Sequence, residues 1–220
     1  NTSVRFLRTT VANITDIDFG VQIPGEYCQN NPDLATSCFV NGDGTQAGST
    51  AGNISSWVGF SYNSNGSVPT PPDYQIATAG QVGSVWGIAY QRTTNRVFAA
   101  ATLHAGAGLG QGGTGTSNAT GAIYVLNNGA AGPALFVNFD ALATPIATRP
   151  AGFPDNAGRG LPASPIATTT IVDSAAASVG SVGFGDIDVS EDQASIWAVN
   201  LFDSRLYKIN IPAAGTLAIN

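Results

Sequence analysis

The chain has 220 residues, enough for one large β domain or two small ones with a sizeable core, and carries a net charge of −6 with a single lysine, Lys208. Nucleic-acid binding needs clustered Lys and Arg to displace counterions from phosphates, and no basic run occurs, which argues against nucleic acid and equally against an anionic membrane surface. No apolar stretch approaches the roughly 20 residues of a membrane span.

Charged residues make up only 10% of the chain, against about 25% in ordinary soluble domains, so Ser, Thr, Asn and Gln must cover the surface. The 27 glycines and 12 prolines imply frequent turns. The chain contains no methionine, which marks it as a processed or excised part of a longer product.

Helical periodicity is nearly absent. Short apolar runs, β-branched or aromatic and bounded by Gly, Asn or Pro, predict an all-β fold. VRFLRTTV (4–11) and DIDFGVQI (16–23) read as the first two strands. CQNNPDLATSC follows, with Cys28 and Cys38 at its ends and Pro32 to turn it. A pair at this spacing can close a small disulfide ring; the other reading is two buried thiols. Without further Cys or His nearby, zinc lacks four ligands. NGDGTQ (41–46) resembles part of a calcium loop but lacks the later acidic positions, and reads as a plain turn. SWVGFSY (56–62) predicts a third strand, and NSNGSVPTPPDY (63–74) a loop. Five sequons, at Asn1, Asn13, Asn53, Asn65 and Asn118, are weak signs of exposure.

An internal repeat is the most informative feature. The first copy is SVWGIAYQRTTNRVFAAATL (84–103) followed by GAIYVLN (121–127); the second is GFGDIDVSEDQASIWAVNL (183–201) followed by SRLYKIN (204–210). Ile88 aligns with Ile187, Tyr90 with Val189, Val97 with Ile196, Phe98 with Trp197, Ala99 with Ala198, and Ile123-Tyr124 with Leu206-Tyr207. Each copy predicts three strands, with Thr93–Asn95 and Glu191–Gln193 in the first turns. This is how a propeller blade reads. The glycine-rich HAGAGLGQGGTGTSNAT (104–120) interrupts the first copy, and a Pro-, Ala- and Thr-rich excursion runs from about 143 to 178. Long loops of this kind in β proteins are usually functional or partly disordered.

Few residues suggest chemistry. His104, the only histidine, sits after a strand at the mouth of the glycine-rich loop, where a general base could stand, but no partner is marked for it. GLGQGG (108–113) spells a dinucleotide fingerprint, yet no helix follows, so a nucleotide role is discounted. In GDIDVSED, Asp186 and Asp188 share one strand face, where calcium could relieve their repulsion. The first copy has Gly87 and Ala89 there, so this is no repeated metal motif. Arg149 and Arg159, in the excursion, could pair with that aspartate cluster or reach a neighbouring subunit.

The stretches 16–42, 82–115 and 182–211 resemble segments of very large bacterial secreted and cell-surface, adhesin-like proteins. Those combine serine-aspartate-repeat B-type β-sandwich domains with a propeller-like region. The resemblance implies that residues 1–25 form a strand segment leaving a preceding sandwich-type domain. It implies that 26–220 form a propeller-like β-repeat domain, with repeats at about 82–127 and 181–211. It brings no enzymatic function.

A closed propeller needs at least four blades, and only two or three fit here, so open edges must pair with more chain or with other subunits. The expected function is therefore a non-enzymatic structural or interaction module of an extracellular bacterial surface protein, as a subunit of a filament or surface array. Two alternatives belong to other classes. One is a propeller hydrolase or lactonase, with calcium on Asp186 or Asp188 polarising a carbonyl and His104 as base. The other is a glycan-binding module using Trp57, since Trp86 and Trp197 fall inside the repeat and are expected in the core.

Overall fold

Among the described residues ten strands form, most of them where apolar and β-branched residues alternate between turn signals, and they assemble into three antiparallel sheets, none closed on itself. The computed structural model describes residues 32–64, 74–113, 118–166, 170–212 and 219. The predicted strands at 4–11 and 16–23, and Cys28, lie outside the described residues. The chain divides into two units, Asn1–Pro32 and Asp33–Asn220, and every described element belongs to the second.

Sheet 1 contains β1 (Asp33–Ser37), β2 (Ser55–Ser61) and β3 (Tyr74–Thr78) in that order. A single helical turn, α1 (Ala79–Val82), leads on; Thr78 and Gln81 cap it reciprocally. Sheet 2 is a four-stranded meander of β4 (Val85–Gln91), β5 (Arg96–Ala101), β6 (Ala122–Leu126) and β7 (Ala134–Asn138). Sheet 3 is a meander of β8 (Phe184–Val189), β9 (Ser195–Asn200) and β10 (Arg205–Asn210), with Ile219 bridged to Ile209 on its edge. The sequence reading missed β1, β3 and β7.

The long connections leave from one common end. Ser37 pairs with Trp57, Val85 with Ala101, Ala122 with Asn138 and Phe184 with Asn200. The described parts of the segments 38–54, 102–121 and 139–183 therefore gather there, and bridges Gly42–Ala107, Gly83–Leu109 and Thr102–Gly183 tie them together. Gly83 shows why small residues are needed: it has φ +62°, and a Cβ on it would fall 2.1 Å from the Gly110 nitrogen. A Cβ on Gly110 would fall 2.2 Å from the Val82 carbonyl carbon. The GLGQGG run thus lets one loop backbone lie directly on another.

Sheet 2 is covered on both faces. Strand periodicity sends successive side chains to opposite sides. Phe98 and Ala100 of β5, with Ile123 and Val125 of β6, enter one core with Phe184, Ile187, Ile196, Ala198 and Ile209 of sheet 3. Their neighbours Ala99, Ala101, Ala122 and Tyr124 enter a second core with Trp57, Ile76 and Ala77 of sheet 1. Each large side chain buried this way contributes about 1.5–3 kcal/mol. The inner strands of sheets 2 and 3 approach backbone to backbone: a Cβ on Gly87 would lie 2.8 Å from the Ile187 nitrogen.

β4–β6 and β8–β10 match pair for pair. Ile88–Ala99 corresponds to Ile187–Ala198, Ala89–Phe98 to Asp188–Trp197, and Ala99–Tyr124 to Ala198–Tyr207. Both inner pairs carry an irregularity at the same place, between Val85 and Ile88 and between Phe184 and Ile187.

Candidate functional site

Two regions concentrate polar or exposed aromatic side chains: the loop end, and the face of sheet 3 turned away from sheet 2. The loop end is organised by Arg159, a fully buried arginine. Its guanidinium donates to Asp173 from Nη2 at 2.6 Å and from Nε at 3.2 Å, and to the His104 carbonyl at 3.0 Å. Asp173 also accepts from the Gly106 and Ala175 N–H groups. Burial alone would raise the Asp173 carboxyl, but these hydrogen bonds and the Arg159 charge hold it below the ordinary carboxylate value.

Beside this pair stands Asn156, also fully buried. Its Oδ1 accepts from the Leu109 N–H, and its Nδ2 donates to the Leu109 carbonyl and to Asp43 Oδ1. Asp43 also accepts from the Thr45 N–H and hydroxyl, which makes NGDGTQ the plain turn its sequence suggests. The network joins 41–46, 104–110 and 155–175, three segments with no strand in common. Its donors and acceptors are spent on one another, which suits a rigid clamp. The described residues of the 143–178 excursion form no strand, yet this clamp and a second one hold them. In the second, Asp140 accepts from Thr148 and Thr120, while Arg149 donates to the Asn118 carbonyl and lies 3.9 Å from Asp140. Neither Arg149 nor Arg159 pairs with Asp186 or Asp188, which corrects that expectation. Buried polar partners this far apart in sequence leave no local signal.

The single histidine is built into an aromatic stack. The His104 ring lies 3.9 Å from the Phe39 ring, nearly parallel, and Phe39 stacks at 6.2 Å on Trp86. His104 Nδ1 is 3.0 Å from the Ala105 carbonyl. Trp86 is 57% exposed and Trp57 fully buried. Trp57 therefore offers no stacking platform for a glycan: its ring fills the core between sheets 1 and 2, because its register places it on the face of β2 turned to sheet 2. The expectation that Trp86 is core is overturned too. Cys38 is an exposed free thiol, and its proposed partner Cys28 lies outside the described residues. Of the sequons, Asn53 is exposed, whereas Asn118 is half-buried with Oδ1 accepting from the Asn156 N–H.

Asp186 and Asp188 both project from the outer face of sheet 3, as the strand period predicts. Each carboxylate accepts from the next residue's N–H, Asp186 from Ile187 and Asp188 from Val189. Among the described residues no three His, Cys, Asp or Glu side chains converge on a common point. Between the aspartates and Lys208 lies an exposed apolar strip of Trp197, Val199 and Leu206, with the Lys208 ammonium 5.5 Å from the centre of the Trp197 ring. Trp197 was expected in the core and is 37% exposed.

Among the described residues no helix is long and apolar enough to cross a membrane. Comparison with protein-family models, with curated proteins and with solved structures finds no match for the chain.

Proposed function

We propose that the chain is a structural interaction module of an extracellular bacterial surface protein, a stack of propeller-like blades that serves as a subunit of a filament or surface array. The observation that carries this reading is the way sheets 1, 2 and 3 dock face to face through alternating side chains, with the last sheet left open. Strand direction supports the blade assignment. β4 and β8 both run away from the loop end and pack against each other, as inner strands of neighbouring blades do. β1 runs the opposite way, which suits the second strand of a blade. On this reading sheet 2 is a whole blade, and Ile219 begins the fourth strand of sheet 3. The low charge suits an extracellular surface that presents Ser, Thr, Asn and backbone rather than a charged coat.

The loop-end clamp acts as scaffold here: it fixes the connections so that neighbouring sheets keep one spacing. Light scattering and negative-stain electron microscopy of the purified chain test the proposal. Concentration-dependent growth into extended assemblies is expected; a strictly monomeric, closed globule would overturn it.

A further inference from the structure

We propose that the outer face of sheet 3 is a self-docking surface that receives the same face of a second copy of this chain, related by a two-fold axis along β9. The inference rests on the module reading above and assigns its contact.

The face continues an interface the molecule already has. In sheet 2 the equivalent face, made by Ala89, Phe98, Ala100, Ile123 and Val125, is buried under sheet 3. Position for position, sheet 3 presents Asp188, Trp197, Val199, Leu206 and Lys208, with Asp186 on the same face where β4 has Gly87. The apolar centre is kept, and Trp197, Val199 and Leu206 are 37%, 38% and 59% exposed. An aromatic residue flanked by aliphatic ones is what the centre of a protein interface is made of.

Charge points to a second copy as the occupant. Ala89 and Val125 become Asp188 and Lys208, so an acid stands at one edge of the strip and a base at the other. They lie in one cross-strand row, because Trp197 pairs with Asp188 on one side and with Lys208 on the other. A further apolar blade would leave both charges buried and unpaired, which is costly. A second copy solves this. Rotation by 180° about an axis along β9 lays β8 over the partner subunit's β10 and β10 over its β8. The Asp188 carboxylate then faces a Lys208 ammonium at both edges, and the two Trp197 rings meet at the centre, with the sheets packed about 10 Å apart. Rotation about an axis across the strands would set β8 on β8 and acid against acid, so the charges also select the orientation. Lys208 already lies within electrostatic reach of Asp192 in the β8–β9 turn, and that carboxylate sits beyond the end of the strip.

Sedimentation velocity over a concentration series of the whole chain tests this, with melting temperature as the control for folding. The wild type is expected to self-associate with a dimer as its first step, and that step to weaken as salt is raised. Asp188→Lys and Lys208→Asp each place like charges in contact and are expected to weaken the dimer about tenfold or more, while the double exchange D188K/K208D restores it to within about threefold of wild type. A monomeric wild type, or a double variant no better than the singles, would overturn the proposal. Self-association that ignores all three variants would overturn this face and leave the module reading standing. A dimer that obeys the charge exchange yet never grows into larger assemblies would uphold the face and remove the filament.

Discussion

β4–β6 and β8–β10 share one register, one irregularity and the placement of the first turn, and differ in what covers one face. Phe98 is fully buried beneath sheet 3, while its counterpart Trp197 is 37% exposed. Ala89 and Val125 are buried where Asp188 and Lys208 reach solvent or its edge. The lesson is that strand pairing is written locally and pair by pair, whereas burial of a face is decided by the next sheet. On that face no aligned residue is shared between the two copies, whereas Ile88, Ala99 and Tyr124 on the other recur as Ile187, Ala198 and Tyr207.

The first way to probe the comparison removes the clamp that the two meanders share. Arg159→Ala leaves the Asp173 carboxylate buried without its cation and should cost about 3–5 kcal/mol, measured by urea unfolding. Because the Asp173 carboxyl titrates lower in the folded chain than in the unfolded one, the stability it gives is complete above the ordinary carboxylate range, near pH 4, and is lost as pH falls through the lowered folded value. Wild-type stability should therefore drop on acidification, and the Asp173→Asn chain, weaker at neutral pH, should drop less. Equal acid slopes in the two chains would show that Asp173 is not the group responsible.

Exchanging residues between equivalent positions sharpens the comparison further. Val125→Lys puts an unpaired charge between sheets 2 and 3 and should cost about 3 kcal/mol. Lys208→Val, on the open face, should change stability by no more than about 0.5 kcal/mol in dilute solution. A smaller contrast is expected one row along. Ala100→Val overpacks a closed interface and should cost about 1–3 kcal/mol, whereas Val199→Ala should cost less than about 1 kcal/mol. Chemical denaturation of the four variants reads both contrasts.

Much of the repeat was legible in the sequence, since Ile88, Ala99, Ile187 and Ala198 sit at matching offsets and their strands alternate strongly. The strands at 33–37 and 134–138 were not. DLATS has no apolar alternation, and ALFVN follows the turn-rich NNGAAG, so tertiary pairing rather than propensity makes them strands. The clamp was illegible for a different reason. Arg159 meets Asp173 fourteen residues on and the His104 carbonyl fifty-five residues back, and neither spacing is a motif. The tryptophans were misread because a repeat position tells which face a side chain takes and not what covers it. Trp57, outside the repeat, is buried, while Trp86 and Trp197, inside it, are exposed.

Two meanders of one register differ in whether a further sheet covers the face of Phe98 or Trp197, and the pair Phe98→Ala and Trp197→Ala tests this most directly. Urea unfolding at a chain concentration low enough to prevent self-association should show Phe98→Ala losing about 3–5 kcal/mol and Trp197→Ala about 1 kcal/mol or less. Equal losses at the two positions would contradict the account, since they would mean that the outer face of sheet 3 is as fully covered as the face of sheet 2.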